Sequence, residues 1–415
     1  MSPIDHPVTR RAALLGSGSL FAWAFVPRIA RSEGRDPRFL TIILRGALDG
    51  LAAVAPSGDP AWFALRGEAA LTPQSKTPAL VLDDFFSLNP AMPNLHRLYG
   101  KGQAIIVHAT ATPYRDRSHF DGQDVLESGL ARPGHIDSGW LNRALGAIEA
   151  GERVNARGGR TFAVGPVTPL VARGPAPVLA WVPPRLPPVS DETTMRVLDL
   201  YRHTDPTFAR VLEDRMGLDT IARAGGIDQR GEGPVIQTGA IEQVRAYFAE
   251  AAGAAAKFLA SADGPRVGAL AFDGWDTHIN EGAIGGRLAA LLGALDGAIA
   301  AIETNMGDAW RETVVSIVTE FGRTARINGN FGTDHGTATV ALLVGGALRG
   351  GRVIADWPGV KETDLHEKRD LRATTDLRAV IKGLLKDHLH ADERALAASV
   401  FPGSDAATPL DGLIA

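Results

Sequence analysis

The stretch that most constrains the fold is Thr313 to Gly336, TVVSIVTEFGRTARINGNFGTDHG. It opens with an apolar, β-branched run, Thr313 to Thr319, that reads as a buried strand. The run stops at Glu320. Phe321-Gly322-Arg323-Thr324 then begins a polar, Gly- and Asn-rich loop that closes on Asp334-His335-Gly336. A second apolar run, Ala338 to Val344, follows directly. A carboxylate therefore stands at the tip of one strand and an Asp-His pair at the entry to the next. Open α/β sheets bind ligands beyond the carboxyl ends of their strands. Carboxylate and imidazole converging there suit a divalent metal. The competing reading is a turn with a satisfied Asp and His.

The same texture recurs along the chain. Phe39 to Leu44 is a strand, and the turn after it carries Asp49 before Gly50, a pairing also common in plain turns. Ala104 to His108 is the next strand. The loop behind it, Ala109 to Gly122, holds hydroxyls, two arginines, two aspartates and His119. Site residues concentrate in such loops, and a helix start there favours an anion. An N-cap role for Asp116 or Ser118 would explain either residue equally well. The helix that follows is expected to run to about Ser128 and stop at Gly129. Val267 to Phe272 ends in Asp273-Gly274-Trp275-Asp276-Thr277-His278, and extended backbone there puts Asp276 and His278 on one side. Structural turn aspartates and a structural His are the alternative.

Further helices are expected over 135–150, over 240–260, and along the apolar face Leu288, Leu291, Leu292, Leu295, Ile299, Ile302. Thr375 is the expected N-cap of a helix over 376–386, and His388 and His390 read as surface residues. Pro183-Pro184-Arg185-Leu186-Pro187-Pro188 is a stiff linker that opens a helical insertion over about 183–234. Strands alternating with helices predict a doubly wound, mostly parallel α/β sheet with helices on both faces.

Several classes are excluded. The chain has no cysteine, so any metal is held by His, Asp, Glu or hydroxyl groups. A net charge of −4 gives no footprint for nucleic acid. Glycine-rich nucleotide loops, the serine-hydrolase elbow and the zincin helix motif are absent. Residues 1–32 carry Thr9-Arg10-Arg11, an apolar stretch Ala12 to Val26 and Ala30-Arg31-Ser32, the order of a secretory signal. The paired arginines favour the twin-arginine translocase as the export partner and a periplasmic or secreted destination. The apolar stretch is too short to span a bilayer comfortably, so no stable membrane span is expected in the mature form.

LRGALDGL, SHF, GWDTH, TEFGRT and GTDHG together resemble domain-of-unknown-function family 1501, twin-arginine exported bacterial proteins grouped with the alkaline phosphatase and sulfatase superfamily. The resemblance covers almost the whole mature chain and implies the superfamily fold with one or two divalent ions. The chain departs from the superfamily in three places. Gly274 breaks its Asp-x-x-x-His spacing, Phe321 stands where sulfatases have a His, and Ala111 stands at the sulfatase nucleophile position. A formylglycine sulfatase is thereby excluded.

The expectation is an exported, metal-dependent hydrolase of a small anionic phosphate or sulfate ester. Asp49, Asp273, Asp276, His278, Glu320, Asp334 and His335 are the candidate ligands for zinc, manganese or calcium. Ser118 and Thr110 are the candidate nucleophiles, a metal-activated water being the other route. Arg115 and Arg323 are the anion partners, and His119 completes the catalytic set. A metal-stabilised binding or scaffold protein without catalysis is the second expectation, and a metal-free polar core the third.

Overall fold

The computed structural model describes residues 35–134, 136–148, 154, 160–165, 167–181, 198, 201–202, 205–224 and 241–415. The expected signal segment lies outside them, as does most of the expected insertion; of the latter, Pro206–Ala224 is a helix.

Strand residues alternate in which side they bury. In β1 (Arg38–Arg45), Leu40, Ile42 and Leu44 enter one apolar cluster, while Phe39 and Ile43 enter another on the opposite face. β2 (Val54–Ala55), β3 (Leu80–Val81) and β4 (Ser87–Leu88) form a small separate sheet. The main sheet continues with β5 (Ala104–Ala111), β6 (Thr161–Val164), β7 (Val178–Trp181), β8 (Val267–Asp273), β9 (Thr313–Thr319), β10 (Thr339–Val344), β11 (Arg352–Ile354) and β12 (Thr375–Asp376). β5, β8, β9 and β10 split their side chains between the same two clusters. A sheet apolar on both faces must be covered on both, which is the condition under which parallel strands are stable.

The main sheet has the order β11-β5-β10-β9-β1-β8-β6-β7, with β12 added beside β5. All of its pairings are parallel except the two made by β10, which runs against β9 and β5. The fold is thus the expected doubly wound, mostly parallel α/β sheet. β1, β8 and β9 end level, with Arg45 opposite Asp273 and Leu44 opposite Thr319. Because β10 is reversed, its start lies on that same edge.

Helix α1 (Gly50–Ala53) follows β1, and α2 (His119–Ser128) follows β5, stopping at Gly129 in the left-handed conformation (φ 75°). α3 (Ile241–Ala260) and α4 (Arg287–Met306) pack together on one face of the sheet. α4 has the length and apolarity of a membrane span, but Leu288, Leu292, Leu295, Ile299 and Ile302 are buried in the core. α5 (Leu377–Leu389) covers the other face. Its N-cap is Asp376, whose carboxylate accepts from the Arg378 amide, and not Thr375. Thr375 instead pairs with Thr110 in the sheet. His388, expected at the surface, is fully buried, because the apolar face of α5 carries it against the Arg38 carbonyl (Nε2 to O 3.0 Å).

Asp49 caps α1 by accepting from the Leu51 and Ala52 amides (3.0 and 3.1 Å). The same carboxylate takes both ends of the Arg66 guanidinium, at 2.7 and 3.2 Å. Arg66 spends its remaining donors on the Ala325 and Thr324 carbonyls, and both side chains are 1% exposed. Removing one partner of a buried pair strands the other charge. Arg66→Met is expected to cost about 3–5 kcal/mol in denaturant unfolding, with part regained on adding Asp49→Asn. A loss below about 1 kcal/mol would show that the pair does not hold this corner.

Candidate metal centre

The loops at the carboxyl edge meet because their backbones pass in close contact. Gly46, at φ +118°, lies where a Cβ would come 2.5 Å from the Asp276 nitrogen, so the turn after β1 presses directly on the segment after β8. Only a residue without a side chain permits both the angle and the approach. The segments after β9 and before β10 are hydrogen-bonded to each other. Gly322 and Thr324 donate to Thr337 and Asp334 (2.8 and 2.9 Å), and Gly336 donates back to Gly322 (2.8 Å). His335 is thereby set beside Arg323.

Three histidines and one aspartate converge at this edge. His119, Asp276 and His335 each offer a ligand atom, all within 4.8 Å of one another. The His278 Nε2 lies 3.0 Å from the His335 Nε2 and 3.0 Å from Asp276 Oδ1. His335 Nε2 is 3.4 Å from the same oxygen, and His119 Nε2 is 3.5 Å from Asp276 Oδ2. The group is partly open to water: Asp276 and His278 side chains are 40% exposed, His119 and His335 about a quarter.

Each ring is held through its other nitrogen by a group that only accepts. His119 Nδ1 meets Glu320 Oε1 at 2.8 Å, His335 Nδ1 meets the Arg117 carbonyl at 2.9 Å, and His278 Nδ1 meets Asp334 Oδ1 at 3.3 Å. These partners assign the proton of each neutral ring to Nδ1 and the lone pair to Nε2. The three Nε2 atoms then face Asp276 and one another. The Nε2 of His119 is buried with no hydrogen-bond partner. Imidazole ligands of metals are held in just this way, by a carboxylate or carbonyl behind the ring.

The charges are tuned by these contacts. Burial alone would push the Asp276 carboxyl up, but the neighbouring His335 ring and the Arg323 guanidinium (Nη1 to Oδ1, 2.6 Å) outweigh it and hold it well below the usual range. The Glu320 hydrogen bond raises the His119 pKa against a smaller burial penalty. Glu320 is fully buried; the desolvation that would raise it is outweighed by His119, Gln123 and backbone donors, so its pKa is lowered.

Several expected site residues have other duties. Asp49 is committed to Arg66 and α1, as described above. Asp273 is exposed on the rim and joins none of these contacts. Glu320 and Asp334 hold rings rather than face the centre. Arg323, fully buried, spends its donors on Asp276 and Thr333. Arg115 turns back onto the Thr112 and Tyr114 carbonyls, and the Thr110 hydroxyl donates to the Thr375 carbonyl (3.2 Å). Ser118 occupies the N-cap position of α2 without a side-chain cap bond, its amide donating to the Tyr114 phenol (3.1 Å). Gln123 and the Arg117 carbonyl also take part, although the sequence pattern did not single them out. Gln123 had a signal: it lies four residues after His119 on α2, and both reach the same Glu320 oxygen. Arg117 had none, since it acts through its backbone at φ +62°.

A mostly parallel, doubly wound α/β sheet with a His/Asp cluster at its carboxyl edge defines the class of this protein. Within it, the chain belongs to the family described as "Protein of unknown function (DUF1501)", which matches residues 82–400. No curated protein matches the chain. Similar solved structures include a protein in the alkaline phosphatase superfamily from Vibrio parahaemolyticus (12% identity, covering 91% of this chain and 71% of that one, TM-score 0.40). The phosphonate monoester hydrolase of Agrobacterium radiobacter is similar at 12% identity over 86% and 74%, TM-score 0.35. The C-terminal periplasmic domain of EcEptC from Escherichia coli, in complex with Zn, is similar at 10% identity over 76% and 74%, TM-score 0.34.

Just behind the centre lies Glu281, 1% exposed, with Thr277 Oγ1 donating to its Oε1 (2.9 Å) and no partner on Oε2. Burial, with the Asp49 charge nearby, pushes its carboxyl up to about 8 from 4.5. An acid held protonated in the folded state makes stability fall as pH rises from the unfolded value to the folded one, and level off above it. Glu281→Gln is expected to remove that slope: in chelator-treated protein, its advantage over the parent grows between about pH 4.5 and 8 and then stays constant. Parallel stability–pH curves in urea unfolding would refute this.

Proposed function

We propose that this chain is an exported, metal-dependent hydrolase of phosphate or sulfate esters. The observation that carries the reading is the pair of imidazole Nε2 atoms 3.0 Å apart beside Asp276, with the unpartnered His119 Nε2 turned to the same carboxylate. Nitrogen lone pairs at that separation are tolerated across a cation or a shared proton. Ligands at about 2.0–2.1 Å from a tetrahedral ion lie roughly 3.3 Å apart, and the separations here run from 3.0 to 3.5 Å. Imidazole-rich donors favour zinc over manganese and calcium, which are better served by oxygen ligands.

His119, Asp276, His335 and His278 would hold a divalent cation, which would supply Lewis acidity toward an ester oxygen and a nucleophile at neutral pH. The chain's own residues arrange the rest. Glu320, Asp334 and the Arg117 carbonyl fix three rings, and Arg323 fixes Asp276. Arg369 is the proposed partner of the anionic head, in place of Arg115 and Arg323: it donates to the His335 carbonyl, and its side chain is 40% exposed. Ser118, one residue before His119, remains the candidate hydroxyl nucleophile, with water as the alternative. In the overall reaction the oxygen of water bonds to phosphorus or sulfur, and the ester oxygen departs with a proton. The export half of the reading rests on Thr9-Arg10-Arg11 and the apolar stretch behind it.

A metal-stabilised binding protein is the second reading. It is favoured by the bonded Thr110 hydroxyl and by Phe321, which stacks on His119 (centroids 5.0 Å apart) at the position where sulfatases have a His. Metal analysis and assays on simple phosphate and sulfate monoesters, with and without chelator, separate the two. The hydrolase is expected to carry about one ion per chain and to lose turnover on chelation. Glu320→Gln should lower metal affinity about 10- to 100-fold, while Asp273→Asn leaves it unchanged. Bound metal without turnover on any ester would favour the binding protein; protein purified and reconstituted without metal would end both readings.

A further inference from the structure

We infer that the centre takes an amphiphilic ester, its anionic head at the ligands and an alkyl or aryl group lying on a rim made by Phe120, Ile279 and Phe331. The inference rests on the hydrolase reading above for the nature of the head group.

Among the described residues eight large apolar side chains are well exposed, and three of them sit on the segments that carry the centre, Phe120 in the first turn of α2 and the other two on loops. Phe120 is 89% exposed and directly follows His119. Ile279 is 60% exposed and directly follows His278. Phe331 is 76% exposed, on the loop that closes on Asp334-His335. Single exposed apolar residues need no explanation; a group around one polar site does.

The loops of Ile279 and Phe331 are joined edge to edge. Asn280 donates to the Asn330 carbonyl and Glu281 to the Phe331 carbonyl, both at 2.9 Å. A Cβ on Gly332 would come 2.3 Å from the His278 carbonyl carbon, so the backbones touch at the ligand itself. Phe331 adopts φ +57° and Asn280 φ +47°. Asn tolerates that region, but a bulky aromatic residue is strained in it. The strain is not repaid by burial, since the Phe331 ring lies in water. Asn328 holds the loop in this shape, its Oδ1 accepting from the Asn330 and Gly332 amides (2.9 and 3.1 Å).

The size of the rim selects its occupant. Three such side chains offer on the order of 400 Å², about half of what one partner contributes to a standard protein interface. A ligand tail fits that area, and the rim adjoins the site where its head would bind.

The test uses metal-loaded protein titrated calorimetrically with ethylphosphonate and octylphosphonate, which share a head and differ in tail. The octyl compound is expected to bind about tenfold tighter or better. Phe120→Ser combined with Phe331→Ser should bring the ratio close to one, with metal content and melting temperature confirming a folded centre. Equal affinities in the parent, a ratio that survives in the double variant, or no binding of either compound overturns the inference. Turnover of ethyl and octyl phosphate is followed in parallel. A tail preference in binding without any turnover removes the hydrolase reading and leaves the amphiphile site standing. Turnover without a tail preference does the reverse.

Discussion

The candidate centre depends on one buried carboxylate. Glu320 stands at the end of β9 with no exposure and accepts four donors. Oε1 takes the Gly46 amide, His119 Nδ1 and Gln123 Nε2 at 2.8, 2.8 and 3.1 Å, and Oε2 takes the Thr319 hydroxyl at 2.9 Å. The turn after β1, the start of α2 and the tip of β9 are thereby tied to one side chain. An ionised carboxylate can lie so deep only because its lone pairs are met, several of them by donors that favour the charged form. Its position lets the ring of His119 lean on Phe321 and point its free nitrogen at Asp276.

Strand direction does the rest of the gathering. In an all-parallel sheet, the loop leading into a strand would open at the far edge, and Asp334-His335 would be a full strand length from Glu320. β10 runs the other way, so its entry loop lies beside the exit of β9. The long β9–β10 connection, residues 320–338, then folds back along itself through the 322–324 and 334–337 hydrogen bonds. Behind this rim the acidic groups that do not face the centre are neutralised separately. Asp49 is matched by Arg66, and Glu281 is held protonated by its surroundings. Those two devices keep surplus negative charge out of a buried corner that the cation would not reach.

The fold was largely legible because its signal is local. Runs such as Phe39 to Leu44 and Thr313 to Thr319 are apolar or β-branched at every position but Ser316, and that pattern has few solutions other than a strand covered on both sides. The site was legible as a set of segments and much less so as a set of roles. GWDTH and GTDHG were marked as meeting, and they do. Which residue points inward could not be read, because it depends on partners far away in sequence. Asp49 looked like a ligand until Arg66, seventeen residues on, claimed both its oxygens. Arg323 looked free to hold an anion, yet its guanidinium closes on Asp276, 47 positions earlier. His388 shows the same limit in the core: an exposed-looking tail residue becomes buried once α5 lies on the sheet.

The arrangement around the three rings also links cation and proton. All three hold their Nδ1 hydrogens against acceptors, so only the Nε2 atoms are left free to bind. For His119 the hydrogen bond to Glu320, with that carboxylate's charge, makes the ring more basic than an ordinary imidazole, while burial works against it. The carboxylate that aims the ring therefore also strengthens its hold on a second proton. A proton on Nε2 and a cation at Nε2 satisfy the same lone pair, and each removes the repulsion between facing nitrogens. A cation taken up by the centre would accordingly displace protons rather than create a new set of contacts, and the same scaffold of acceptors would serve both states. That equivalence accounts for four polar side chains held this close, with separations of 3.0 to 3.5 Å between their facing atoms.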